Sequence, residues 1–268
     1  IETTFMPEED LKDFTNDIDD DKNKISLKDL SIWGKRKDEV VKTIKGFCAS
    51  YSAWITSQET NSDNLPEKQK SIVERLIYRQ KQNEERMLKN IELLQNDTVF
   101  RAFQIANTAM YIQMIISNED RFSKTEKELS DIKEGLSTYN NVDFFKDFDL
   151  FSPKYRPFQF AFFLLCLDSI VNPNEDQRNI VDLLWFPTGG GKTEAYLAVT
   201  AFTIAYRRIA LEKWQGTTVI MRYTLRLLTA QQFERASRLI SAMEFLRKVE
   251  LKELKEEPIS IGLWIGQG

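Results

Sequence analysis

Apolar residues recur at helical spacing through the first half of the chain. Over residues 38–55 they fall every three or four positions, which is the pattern of an amphipathic helix. The same spacing predicts helices over 67–94 and 123–136, and a polar stretch predicts a loop over 57–66. The helix predicted over 99–116 is apolar on most of its faces. We therefore expect an all-helical N-terminal unit with this last helix at its buried centre.

The pattern changes after a polar linker that ends near Pro153. Helical spacing continues in three places, over 158–170, 193–206 and 230–249. Between them, apolar or β-branched runs predict strands over 179–186, 217–221 and 259–265. Strands that alternate with helices indicate a parallel sheet with helices on both faces. The predicted fold class is therefore α/β, with an all-α domain followed by part of a parallel-sheet domain.

The charges divide the chain in a similar way. Residues 1–150 carry 22 basic and 29 acidic side chains, a net charge of −7, and residues 151–268 carry 15 and 12, a net charge of +3. These values add to the total of −4. Such an asymmetry suggests two units with different partners. We predict an acidic arm over 1–37, a helical domain over 38–150 and the partial α/β domain over 151–268.

Composition excludes several classes of protein. The chain has no histidine, which excludes Ser-His-Asp and Cys-His triads and imidazole metal sites within it. Its two cysteines do not make a disulfide scaffold, and they fit a reducing cytoplasm. No apolar run is long enough to predict a transmembrane helix, so we expect a cytoplasmic protein without a membrane partner. Because the chain begins with Ile1, we expect it to be a piece of a larger protein.

The strongest chemical signal is a glycine-rich turn between a predicted strand and a predicted helix. The turn contains Pro187, Thr188, Gly189, Gly190, Gly191, Lys192, Thr193 and Glu194. Glycines let backbone N–H groups converge on phosphate oxygens, and the helix start adds its positive dipole end. Lys192 can reach the β- and γ-phosphates, and the Thr193 hydroxyl can coordinate Mg²⁺. The turn therefore predicts a site for ATP and Mg²⁺ with Lys192 and Thr193 as catalytic residues; the alternative is a glycine-rich turn with an incidental lysine.

Two details of this region point to one family of motors. Phe186 stands where the general phosphate-loop pattern has its first glycine, and the Pro-Thr-Gly-x-Gly-Lys-Thr form resembles motif I of superfamily-two helicases and translocases. Residues 155–159, Tyr-Arg-Pro-Phe-Gln, are similar to the start of many such motors, where a glutamine hydrogen-bonds adenine. The resemblance implies nucleotide contacts from Arg156 and Gln159. The alternative is an ordinary helix N-terminus with Pro157 in its first turn.

A second motif follows the predicted strand over 217–221. Arg226-x-Leu228-x-x-Gln231 resembles motif Ia, which lies along the nucleic-acid track of the same family, although Thr224 departs from the usual motif. The resemblance implies contacts with the DNA backbone from Arg222, Thr224, Arg226 and Gln231. The alternative for Arg226 is a solvated or salt-bridged arginine at a helix start.

As a set, the motifs over 155–268 are most similar to the large helicase subunit of the bacterial DISARM anti-phage defence system. This resemblance implies that the second unit is the first half of a RecA-like P-loop parallel-sheet domain. It also implies an ATP-dependent DNA helicase or translocase, acting on double-stranded DNA or on DNA with a single-stranded end, with a partner subunit in a defence complex.

No apolar strand of the chain ends in the Asp-Glu pair that a working motor needs, so we expect the chain alone to hydrolyse ATP feebly or not at all. A nucleotide-sensing scaffold without motor activity is the alternative function. A P-loop kinase or small-molecule ATPase fits less well with the Arg-Pro-Phe-Gln start and the motif Ia-like segment.

Overall fold

The computed structural model describes residues 25–62, 65–117, 153–174, 176–186, 191–212, 214–223 and 226–264. Most of these residues lie in α-helices: α1 (Leu27–Leu30), α2 (Lys37–Ser62), α3 (Glu67–Leu93), α4 (Asp97–Ser117), α5 (Pro157–Val171), α6 (Lys192–Ala210) and α7 (Arg226–Val249). Two strands, β1 (Ile25–Ser26) and β2 (Lys154–Tyr155), and two 3₁₀ turns, Asp176–Asn179 and Lys252–Leu254, complete the described elements. No described helix has both the length and the apolar character required to cross a membrane.

The helices predicted from apolar spacing are confirmed wherever the structure describes them. The predicted helix over 123–136 and residues 1–24 of the acidic arm lie outside the described residues. The loop predicted over 57–66 is shorter than expected, because α2 continues to Ser62. Hydroxyls in its last turns donate to carbonyl oxygens four residues earlier, as Thr60 does to Thr56 at 3.1 Å. These bonds keep the polar side chains compatible with the helix.

Helix α4 lies at the centre of the fold and is buried on all its faces, as its sequence predicts. It contacts α1, α6 and α7, while α3 packs on α5 and α5 on α6. Buried apolar residues from α1 to α7 form one continuous cluster. The two predicted units therefore share a hydrophobic core, and the predicted domain boundaries remain predictions.

The predicted parallel RecA-like sheet, and with it the α/β fold class, is wrong. The segments predicted as strands over 179–186, 217–221 and 259–265 form no ladder hydrogen bonds within the described residues, where the one sheet is the pair β1–β2. A β-branched run becomes a strand only beside another strand, because its β-propensity reflects packing on neighbours. In this structure the packing is between helices instead, since α6 and α7 pack directly on α4. Several apolar side chains of the segments predicted as strands are exposed, including Leu183 at 85% and Ile220 at 85%.

The observed sheet is a short antiparallel ribbon that fixes the start of α5. Ile25 pairs with Tyr155 and Ser26 with Lys154, and the Leu27 N–H donates to the Pro153 carbonyl at 3.1 Å. Two-residue strands leave no periodic signal in a sequence, so this ribbon could not be predicted. It sets α1 beside the turn from which α5 begins.

Candidate nucleotide-binding site

The N-terminus of α6 carries the chemistry-bearing residues of the predicted phosphate loop. Lys192 and Thr193 are the first two residues of this helix, and Gly191 is its N-cap, with a φ of +87°. That φ lies in the left-handed region, which favours glycine. A Cβ at position 191 would also lie 2.7 Å from Nε2 of Gln159, so a larger residue there would displace the Gln159 amide from its hydrogen bond to the residue 191 carbonyl. Outside the described residues lie the rest of the loop, Pro187, Thr188, Gly189 and Gly190.

Helix α5 supports this loop through Gln159, which is buried and only 3% exposed. Its Oε1 accepts a hydrogen bond from the backbone N–H of Arg156 at 2.8 Å. Its Nε2 donates to the carbonyl of Gly191, also at 2.8 Å. The amide therefore joins the first turn of α5 to the N-cap of α6. The adenine contact predicted for Gln159 and Arg156 stays a prediction.

The side chain of Lys192 reaches back across the loop. Its Nζ donates to the backbone carbonyl of Phe186 at 2.5 Å. The ring of Phe186 is stacked on Phe158 of α5, with ring centroids 4.0 Å apart and an interplanar angle of 14°. The ammonium group of Lys192 therefore contacts the residue that directly precedes Pro187 in the sequence.

Helix α7 covers another side of the same helix end. Thr193 Oγ1 donates to Oε1 of Gln232 at 3.0 Å, and Arg235 forms an ion pair with Glu194. Burial, followed by the nearby charge of Arg238, lowers the pKa of Arg235 below its usual value. The hydroxyl predicted to bind Mg²⁺ is therefore held by a side-chain amide in this arrangement.

Glu194 has one carboxylate oxygen without a hydrogen-bond partner among the described residues. Its Oε1 pairs with Arg235, whereas Oε2 is buried and has no hydrogen-bond partner among the described residues. Such an orphaned acceptor costs about 1–3 kcal/mol. Oε2 would lie 3.3 Å from a Cβ at position 191, so it faces the loop. A carboxylate oxygen next to a hydroxyl is the kind of donor set that suits Mg²⁺, which prefers oxygen ligands and retains several waters.

Of the residues predicted to contact nucleic acid, Arg226 and Gln231 lie in the first turns of α7, and Arg222 precedes that helix. Arg222 and Gln231 are exposed. Thr224 and the side chain of Arg226 lie outside the described residues, although Arg226 is the first residue of α7. The predicted nucleic-acid segment therefore leads directly into the helix that contacts Thr193.

Sequence reasoning did not find Gln232 and Arg235. They stand three positions apart, which places an amide and a guanidinium on the same helix face. That spacing is the one signal that the sequence offers for them. Which face of α7 meets α6 depends on the packing of both helices on α4, and this packing has no local sequence signature.

No family model matches the chain. A curated relative is nevertheless similar along nearly all of it: DISARM protein DrmA from Bacillus paralicheniformis (strain ATCC 9945a / NCIMB 11709 / CD-2), which is 34% identical over 283 aligned residues. The alignment covers 99% of this chain. The chain is DrmA-like. It spans 23% of the length of DrmA, so the alignment covers part of that protein. The similarity confirms the resemblance inferred from the motifs.

Proposed function

We propose that this DrmA-like chain binds ATP with Mg²⁺ and is the nucleotide-binding part of an ATP-dependent DNA helicase or translocase in bacterial anti-phage defence. The observation that carries the proposal is the N-terminus of α6. There a glycine in the left-handed region is followed by Lys192 and Thr193, and a buried carboxylate oxygen of Glu194 faces Gly191.

Each of these groups has a task toward a triphosphate. The N–H groups at the start of α6 and its dipole attract phosphate oxygens. Lys192 exchanges its contact with the Phe186 carbonyl for the more strongly charged phosphate. Thr193 and Glu194 supply oxygens for Mg²⁺. When bound, this ion neutralises the charge of the phosphates.

The defence role and the partner subunit are proposed from the similarity to DISARM protein DrmA. We infer that the longer protein works in the cytoplasm, with DNA as its substrate and with at least one further subunit. The exposed Arg222 and the basic surplus of residues 151–268 support contact with a phosphate backbone.

Nucleotide binding with and without Mg²⁺ tests the site through Gln232. The Thr193 hydroxyl donates its hydrogen to Oε1 of Gln232, which leaves its oxygen lone pairs oriented and available for the metal, so Gln232→Ala should weaken Mg²⁺·ATP binding. One hydrogen bond has a net worth of about 0.5–1.5 kcal/mol, which corresponds to a loss of about 2- to 10-fold. Affinity for ATP in EDTA should change much less. Isothermal titration calorimetry measures both affinities.

Gln231→Ala is the matched control, since it removes the same side chain one position away from an exposed site. Its affinities should equal those of the wild type. If the wild-type chain binds no ATP in either condition, the proposed nucleotide site is wrong. If Gln232→Ala and Gln231→Ala behave alike, the site stands but Gln232 does not restrain Thr193.

The DNA contact is tested by salt dependence. Replacing Arg222 and Arg226 together by alanine should weaken DNA binding and lower the slope of log affinity against log salt by about one unit for each lost phosphate contact. Fluorescence anisotropy of a labelled duplex over a salt series measures the slope. Arg75→Ala with Arg79→Ala, two exposed arginines of α3, is the control with equal charge loss. An unchanged slope in the first variant would remove the nucleic-acid role from this segment.

A further inference from the structure

A bidentate ion pair joins α3 to the segment that precedes the phosphate loop in the sequence. Arg86 donates through Nη1 and Nη2 to the two carboxylate oxygens of Asp182, at 2.6 and 2.9 Å. The side chains are only 10% and 20% exposed. Burial acts to lower the pKa of Arg86, but the hydrogen bonds and charge of Asp182 outweigh it and raise that pKa above its usual value. Paired geometry and shielding from water distinguish this contact from an ordinary surface ion pair.

The segment 180–186 is covered on one side alone. Its other side presents apolar side chains that are 92%, 85% and 77% exposed, namely Val181, Leu183 and Trp185. Several contacts anchor the covered side: Asp182 pairs with Arg86 and accepts a weak hydrogen bond from the Cys166 thiol at 3.9 Å, and Phe186 stacks on Phe158. The two-bond ion pair is the strongest contact of Asp182, so the place of the segment depends strongly on Arg86.

The anchored segment ends where the phosphate loop begins. The Phe186 carbonyl accepts the hydrogen bond from Lys192, and Asp182 is four residues upstream, in chain that belongs to no helix or strand. A displacement at Asp182 is transmitted along that chain to the lysine contact. A loop that is already in its binding position loses less entropy when a ligand binds, and its apparent affinity rises with the fraction of molecules in that position.

We propose that Arg86 is a positioning residue for the nucleotide site: by holding Asp182 it keeps the segment 180–186, and with it the Phe186 carbonyl that Lys192 contacts, in the place from which Lys192 can bind a triphosphate. This inference rests on the proposed ATP-binding function. Under this inference a residue of α3 supports the nucleotide site. Arg86 is 96 positions before Asp182, the residue that it holds.

The same helix provides a matched control. Lys89, three residues after Arg86, pairs with the fully buried Asp168 of α5 at 3.2 Å. Lys89 therefore ties α3 to α5, whereas Arg86 ties α3 to the segment that precedes the loop. Removal of either cation weakens the packing of α3, but only removal of Arg86 releases Asp182.

Two measurements on Arg86→Ala, Lys89→Ala and the wild type separate positioning from packing. Mg²⁺·ATP affinity should fall about tenfold in Arg86→Ala, as expected if the loop is in place in one molecule out of ten. It should stay within about twofold in Lys89→Ala. Without nucleotide, chymotryptic cleavage after Trp185 should accelerate in Arg86→Ala and not in Lys89→Ala, because a released segment is cut more readily than an anchored one. The exchanged pair Arg86→Asp with Asp182→Arg should recover part of the affinity.

The outcomes have distinct meanings. A wild-type chain that binds no ATP contradicts the proposed function, while proteolysis still decides whether Arg86 holds the segment. A wild-type chain that binds ATP, with equal affinities and equal cleavage rates in Arg86→Ala and Lys89→Ala, overturns the positioning role. If Arg86→Ala does not fold, Asp182→Asn replaces it, because this variant keeps the size of the side chain and removes its charge.

Discussion

Lys192→Ala is expected to abolish ATP hydrolysis by the full-length protein and to leave its fold intact. Lys192 is the first residue of α6, and its ammonium group contacts the Phe186 carbonyl outside the hydrophobic core. Loss of one preorganised electrostatic donor costs about 2–4 kcal/mol of transition-state stabilisation. This corresponds to a fall of about 30- to 1000-fold in rate. Steady-state phosphate release measures it.

Lys45→Ala is the control for a lost surface lysine, because Lys45 is 51% exposed on α2 and pairs with Glu92. It should hydrolyse ATP as the wild type does. Circular dichroism spectra of both variants should match that of the wild type. Hydrolysis by Lys192→Ala above a few per cent of the wild-type rate would remove Lys192 from the role of phosphate lysine.

Phe163→Ala is expected to lower the free energy of unfolding by about 3–5 kcal/mol. Phe163 of α5 is fully buried. Its ring stacks on Phe103 of α4, with centroids 5.4 Å apart, and meets Phe202 of α6 edge-on at 5.9 Å. Truncation leaves a cavity between three helices that cannot close without moving all of them. Urea unfolding followed by far-ultraviolet circular dichroism measures the loss.

The neighbouring Phe162 provides the matched control. It is half-buried and has one aromatic neighbour, Tyr196, at 5.7 Å, so Phe162→Ala should cost clearly less. Because α4 and α6 meet through Phe163, the loss should appear in a single transition. Equal losses in both variants, or two separate transitions, would show that the helices on either side of Phe163 do not share one cooperative core.

Helix positions could be predicted closely because their signal is local. Apolar residues at helical spacing place α3 within one residue at each end, and the all-round apolar character of α4 predicts its burial. The sheet could not be predicted in the same way. The run over 217–221 has every local mark of a strand, yet pairing depends on another segment, and no described segment pairs with it.

The residues of the candidate site also differ in whether the sequence alone can identify them. The motif residues Gly191, Lys192 and Thr193 are brought to one helix end by chain connectivity alone, so the sequence is sufficient to find them. Gln232 of α7 contacts Thr193, and Arg86 of α3 contacts Asp182. Their places depend on how separate helices pack, which one sequence does not reveal residue by residue.

The exposed apolar side chains of the segment 180–186 affect how the chain behaves in concentrated solution. Val181, Leu183 and Trp185 stand on backbone that has no strand partner among the described residues. Such an edge is a template for pairing between copies of a chain. Sulfate salts strengthen apolar association, and net charge opposes it. Solubility should therefore be lowest near the isoelectric point of 5.3 in sulfate, and moderately alkaline buffers with chloride salts should keep the chain dispersed.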